Sequence, residues 1–313
     1  MSDGAVDLKA EARAKAYSMP LEQINPVDPE LFLTDTHWPY FERLRKEDPV
    51  HYCADGHEDG PYWSVTKFND IMAVDTNHDV FSSEPAITIF DPEEDFTLPM
   101  FIAMDQPKHD VQRRPVSPIV SPHNRAELEP LIRSRIQKTL DSLPIGTPFD
   151  WVDKVSIELT TQMLATLFDF PFEDRRKLTF WSDIATADPT SKLFKTEDPD
   201  TERKMYLFEC VDYFSRLWEE RVNAPPRGDL ISMLAHGEST KNMDRMEYLG
   251  NLILLIVGGN DTTRNTMSGS VYALNQNPAE FAKLRANPDL IPSMVSETIR
   301  WQTPLAYMRR TAK

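Results

Sequence analysis

The chain has 313 residues, of which 40% are hydrophobic and 10% aromatic, with 34 Lys and Arg set against 50 Asp and Glu for a net charge of −16. That much apolar material supports a sizeable core and excludes a disordered tail, while the acidic balance repels phosphate backbones and argues against nucleic acid as a partner. Ten glycines against 25 prolines disfavour a fold built on glycine-rich phosphate loops and favour helices punctuated by proline.

In chain order, residues 1–27 read as a mobile polar arm closed by Asn25-Pro26, and the ordered chain begins at Asp28-Pro29. A helix is expected over 38–47, ended by Asp48-Pro49. Val50–Tyr52 and Tyr62–Thr66 read as two strands joined by a polar turn from Ala54-Asp55-Gly56. From Lys67 the pattern is helical, with helices expected over 67–75, 108–121, 125–142, 151–168, 173–186, 200–223, 229–236, 244–275, 278–286 and 290–301. The fold expected is mainly α, with a small β-sheet near the N-terminus. Cys53 and Cys210 are far apart and outside any C-x-x-C pattern, which fits neither a disulfide framework nor a structural zinc site and suits a reducing cytoplasm. The N-terminal residues lack a signal-peptide apolar region, and the longest apolar run, Leu252–Val257, is far short of a membrane span. The expectation is a cytoplasmic protein without a membrane span.

Three features carry chemistry. The stretch Phe81–Asp105 is long and rich in apolar side chains, with Ile87, Ile89, Phe90, Phe96, Leu98, Met100, Phe101, Ile102 and Met104, and most of its charge is gathered at Asp91, Glu93, Glu94 and Asp95. It reads either as a loop folded over the core or as the wall of an apolar pocket. The helix expected over 244–275 is apolar on nearly all sides around Leu252–Val257, then meets Gly258-Gly259-Asn260-Asp261-Thr262-Thr263. Two helical glycines cost about 1 kcal/mol each relative to alanine. The run therefore reads either as a kink that opens room for a small ligand and a water, or as a break with Asp261 capping a second helix. Near the end of the last helix, Glu297 and Arg300 share a face at i, i+3. The same spacing recurs at Glu42–Arg45 and Glu173–Arg176, so the pair has meaning only through its position.

Taken together, these residues resemble a cytochrome P-450. That family carries [AG]-G-x-[DE]-T on its central helix, here Gly258 to Thr262. A later helix carries E-x-x-R, here Glu297 and Arg300, and an earlier one H-x-x-x-R, here His109 and Arg113. The resemblance runs from about Asp28 to Lys313, and over Phe81–Ser121, above all Met104-Asp105-Gln106-Pro107, it is nearest to soluble bacterial alkane terminal (omega) hydroxylases.

The resemblance implies haem b as cofactor, a hydrophobic small molecule and dioxygen as substrates, and a ferredoxin with its reductase as electron donors. It implies that Gly258 and Gly259 form a groove that admits dioxygen, that Thr262 hydrogen-bonds it and that Asp261 relays protons. His109, Arg113 and Arg310 would hold haem propionates, with Arg309 offering the neighbouring register. Glu297 and Arg300 would form a buried structural pair. Ile89, Phe101, Leu254, Leu255 and Leu305, with Ala306 and Met308 beside it, would line the substrate pocket. Lys108, Arg113, Arg114 and Arg125 form a basic cluster suited to an acidic electron donor.

One family feature is absent from these residues: the Phe-x-x-Gly-x-x-x-Cys-x-Gly loop whose thiolate ligates iron. Residues 28–313 are therefore expected to be an incomplete cytochrome P-450 domain with no metal ligand of its own, inactive in isolation. A di-iron helix bundle would need two Glu-x-x-His motifs, and the sequence has none. The non-enzymatic alternative is a helical lipid-binding or interaction module with the glycine-threonine run as a simple kink.

Overall fold

The computed structural model describes residues 7–54, 56, 60–92 and 95–313. Asp55 of the expected turn and the acidic Glu93 and Glu94 lie outside them. The chain divides into two compact units, Met1–Glu94 with Met308–Lys313, and Asp95–Tyr307.

In the first unit the expected arm carries helix α1, Leu8–Ser18. Asp7 caps it by accepting from the Lys9 and Ala10 amides at 3.2 Å, and Ala12 and Ala16 bury against Tyr40 and Leu44 of α3, Trp38–Glu47, with Ile24 beside them. The polar composition concealed this helix because only two small residues on it, Ala12 and Ala16, are buried. Pro29 starts the short α2, Pro29–Leu33, behind an Asp28 cap. Strands β1, Val50–Cys53, and β2, Tyr62–Val65, pair antiparallel with Val50 opposite Val65, close to the predicted bounds. After α4, Phe68–Asp75, the two-residue β3 at Phe81–Ser82 pairs antiparallel with β4 at Thr311–Ala312.

The second unit is helical among the described residues. Its elements are α5 (Lys108–Arg113), α6 (Pro122–Asp141), α7 (Glu158–Phe168), α8 (Arg176–Thr186), α9 (Pro199–Val222), α10 (Leu230–His236), α11 (Arg245–Gln276), α12 (Pro278–Ala286) and α13 (Ile291–Gln302). The helix expected over 108–121 stops at Arg113, ahead of Pro115, and resumes as a 3-10 turn at Ser117–Val120. The one expected over 151–168 opens with a wider π turn, Val152–Ile157. Ser121, Asp198, Asp229 and Asp244 cap α6, α9, α10 and α11 through side-chain oxygens.

Helix α11 is the axis of this unit, packed by α7, α8, α9, α13 and the π turn. Leu249, Leu252 and Ile256 are fully buried and join Leu164, Phe168, Trp181 and Phe214 in one core. Phe168 meets Phe214 edge to face at 5.4 Å between ring centres. None of the described helices is long and apolar enough to cross a membrane.

Candidate active site on the central helix

Helix α11 runs unbroken through Gly258-Gly259, so the expected break with Asp261 as a cap does not occur. The two glycines do different work. A Cβ at Gly258 would meet nothing within 4 Å, whereas one at Gly259 would sit 2.7 Å from Leu164 Cδ2 of α7. Gly258 thus opens the helix flank and Gly259 lets α7 approach. Asn260 is fully buried and accepts from Thr160 Oγ1 at 2.8 Å, locking the same two helices together.

Beside the opening, Thr262 Oγ1 donates to Gly258 O at 3.0 Å, a back-bond that a hydroxyl relinquishes by rotating about one dihedral. Asp261 pairs with Arg264 one turn on, and the other arm of Arg264 reaches Asp183 Oδ1 of α8 at 2.9 Å. Burial pushes the Asp183 carboxyl above its ordinary value, against the pull of Arg264. Sequence reasoning missed Arg264 and Asp183. The i, i+3 spacing of Asp261 and Arg264 was a legible signal, but nothing in the sequence places α8 opposite them.

His109 and Arg113 lie one turn apart on α5. His109 Nδ1 is 2.9 Å from Phe101 O. The exposed Arg113 guanidinium has no ion-pair partner among the described residues. Phe101 is buried in the core, and its amide donates to Asn251 Oδ1 of α11 at 2.9 Å, which brings the α5 side of the site onto the central helix. Leu254 and Leu255 are half-buried against the same core.

Other expected site residues are placed differently. Leu305 is 59% exposed and stands outside the core. Ile89 is half-buried in the first unit. Arg310 is spent on Asp75 Oδ1 at 2.5 Å, and Arg309 on Asp91 Oδ1 at 2.5 Å and Ile89 O at 3.2 Å. Neither guanidinium is free for a propionate. Glu297 and Arg300 do form the expected pair, at 2.6 Å, but their side chains are 61% and 70% exposed. The expected burial is corrected: α13 turns this pair to solvent, with no described residue covering it. Lys108, Arg113, Arg114 and Arg125 are all exposed, and Lys108 lies 3.7 Å from Glu247.

These residues fit the periphery of a haem. Arg113 supplies N–H donors suited to carboxylates, His109 adds an Nε2–H donor only when both ring nitrogens carry hydrogen, since Nδ1–H is held by Phe101 O, and the flank of α11 is open at Gly258. The iron ligand is another matter. Cys53 and Cys210 are buried, and burial raises both thiols, Cys210 well above the ordinary range, the reverse of what a metal-ligating thiolate requires.

No protein-family model matches the chain. CYP153D17 from Sphingomonas sp. superposes with a TM-score of 0.82 at 52% identity, over 91% of this chain and 71% of that one. Cytochrome P450-153 from Novosphingobium aromaticivorans superposes with a TM-score of 0.84 at 47% identity, over 92% of this chain and 73% of that one. The methyl-branched lipid omega-hydroxylase of Mycobacterium bovis is 30% identical over 294 residues, 87% of this chain and 65% of that protein. At the identity and coverage of the two superposed structures, on a helical frame that carries the His-Arg turn, the glycine-acid-threonine run and the Glu-Arg turn in that chain order, the chain belongs to the cytochrome P450 family of haem-dependent monooxygenases.

Proposed function

We propose that this protein inserts one oxygen atom from dioxygen into an aliphatic C–H bond at or near a chain end, on alkanes or related chains, with electrons from a ferredoxin and its reductase. The observation that carries the reading is the open flank of α11 at Gly258, with the Thr262 hydroxyl on the adjoining carbonyl and the Asp261 carboxyl beside it. Bound haem supplies the oxygen chemistry, its thiolate ligand favouring O–O cleavage. The chain's own residues supply binding and protons. Arg113 binds a carboxylate of the cofactor, and His109 joins it through Nε2–H in the doubly protonated ring, whose Nδ1–H stays on Phe101 O. The Thr262 hydroxyl rotates from Gly258 O to donate into the opening. Asp261, partly exposed to water and tethered by Arg264, resupplies that proton, a role worth typically about 10²–10⁴ in rate. Leu254, Leu255 and Phe101 give the site its apolar side, and a terminal preference agrees with the name of the similar lipid omega-hydroxylase. The exposed basic residues of α5 and the start of α6 are the proposed landing face for an acidic donor.

We further propose that the iron's thiolate ligand comes from outside residues 1–313, so that this chain alone neither ligates haem through sulfur nor turns over. Reading the coding DNA beyond Lys313 for a Phe-x-x-Gly-x-x-x-Cys-x-Gly loop tests the first clause. The reduced carbon monoxide spectrum of the purified 313-residue chain tests the second, and a thiolate-type Soret band there overturns it. Product analysis with linear alkanes, using protein that includes such a loop plus a ferredoxin and reductase, tests the activity; oxidation only within the chain, or no oxidation, overturns the terminal assignment. No observation favours the non-enzymatic module.

A further inference from the structure

The peptide of Phe101 sits between two side chains that the sequence separates widely. Its N–H donates to Asn251 Oδ1 at 2.9 Å, and its carbonyl lies 2.9 Å from His109 Nδ1. A carbonyl only accepts, so Nδ1 carries the hydrogen, and Nε2 is the ring atom left for a ligand. We propose that Asn251 is a positioning residue of the active site, which through the Phe101 peptide fixes the ring orientation and the Nδ1–H form of His109. This rests on the reading of His109 as a haem contact.

Three observations support the assignment. Asn251 is fully buried on a stretch of α11 where Leu249, Leu252 and Ile253 are buried too. An amide in that setting is costly unless its hydrogen bonds are made. Its other end is engaged as well, with Nδ2 at 3.2 Å from Met243 Sδ and 3.5 Å from Gln112 Oε1. Gln112 belongs to α5, between His109 and Arg113, and donates to Glu247 Oε1 of α11 at 2.5 Å. Finally, Gly250 lets the Pro99 backbone lie so close that any Cβ there would overlap the Pro99 carbonyl. Consecutive residues 250 and 251 thus hold segment 99–101 against α11, one by the absence of a side chain and one by a hydrogen bond. His109 is aimed by that segment and not by its own helix alone.

The test uses the 313-residue chain without haem, so it does not depend on turnover. Two-bond ¹H–¹⁵N correlation spectra of histidine-labelled protein at about pH 8, where imidazole is largely neutral, report the tautomer of each ring, with His109→Gln assigning the signal. The wild-type ring is expected as Nδ1–H; an Nε2–H ring in the wild type overturns the proposal whatever any variant does. In Asn251→Leu, similar in size but without an acceptor, the His109 signal shifts toward the Nε2–H form, and the Phe101 amide exchanges about 5- to 10-fold faster, the loss of one hydrogen bond. Asn251→Asp keeps the acceptor and restores both signals. A folded Asn251→Leu variant with an unchanged His109 spectrum refutes the positioning role. The haem reading is separated by titrating haem into protein that carries the iron ligand. Equal affinity in wild type and His109→Gln would remove His109 as a haem contact and leave the tautomer result standing.

Discussion

One substitution, Gly to Ala, should change stability in opposite directions at two positions of α11. At Gly258 an added methyl meets nothing within 4 Å, and the replacement gains the helix propensity of alanine, about 0.5–1 kcal/mol. At Gly250 the methyl would lie 2.8 Å from the Pro99 carbonyl carbon and overlap the carbonyl oxygen. Those are backbone atoms of a segment also tied by the Asn251–Phe101 hydrogen bond, so they cannot swing aside as a side-chain tip would. Overpacking costs about 1–3 kcal/mol, and the steric clash here belongs at the upper end. After the same propensity gain, Gly250→Ala should lose roughly 1–2 kcal/mol, which leaves the two variants about 2–3 kcal/mol apart. Gly259→Ala, which presses only on the flexible Leu164 tip at 2.7 Å, should fall between them. Urea melts of the three variants followed by helix ellipticity provide the measurement. If Gly250→Ala melts with or above Gly258→Ala, the close approach of the Pro99 segment is wrong, and with it the clamp at 250–251.

Thr262→Ala in such protein should retain haem and divert reducing equivalents to peroxide; unchanged product per electron donor consumed would remove Thr262 from proton delivery. Glu297→Gln should leave the urea midpoint of the 313-residue chain unchanged, because the Glu297–Arg300 pair is exposed; a clear fall would show that the pair is buried after all. Glu158 gives the chain an acid limb. Burial pushes its carboxyl up, but hydrogen bonds from Gln162, Arg175 and Arg176 prevail and hold it below its ordinary 4.5. A carboxyl depressed in the folded state contributes its stability above the unfolded value and loses it as pH falls through the folded one. Stability should therefore drop as pH is lowered below about 4.5, and Glu158→Gln should lower stability at neutral pH while flattening that slope in pH-dependent melts.

Much of the architecture was legible from local rules. Pro39 at the start and Asp48-Pro49 at the end bracket α3, Asp244 caps α11, and the apolar run through Leu252 and Ile256 marks it as the buried axis. The pairing of β1 with β2 followed from alternating residues across a short turn. These features depend on neighbours a few residues apart, which is the range over which backbone preference and side-chain periodicity act. The motif residues were visible for the same reason: the glycine-acid-threonine run, the His-Arg turn and the Glu-Arg turn are each contained in one or two helical turns.

What remained hidden depended on partners distant in the chain. Helix α1 exists because Tyr40 and Leu44 cover Ala12 and Ala16, and β3 because Phe81 and Ser82 find Ala312 and Thr311. Two glycines that are equivalent in sequence are distinguished by Leu164 on another helix. Asp261 and Arg264 are a local pair, but Asp183 makes them a cluster, and the exposure of Glu297 and Arg300 is decided by what packs, or does not pack, against α13. Asn251 carried no signal at all. Spacing along a helix fixes which side chains share a face, so the motifs and the central helix were readable from the residues alone. Which groups that face meets is set by long-range packing, so whether those residues are open, paired or aimed emerged only with the folded chain.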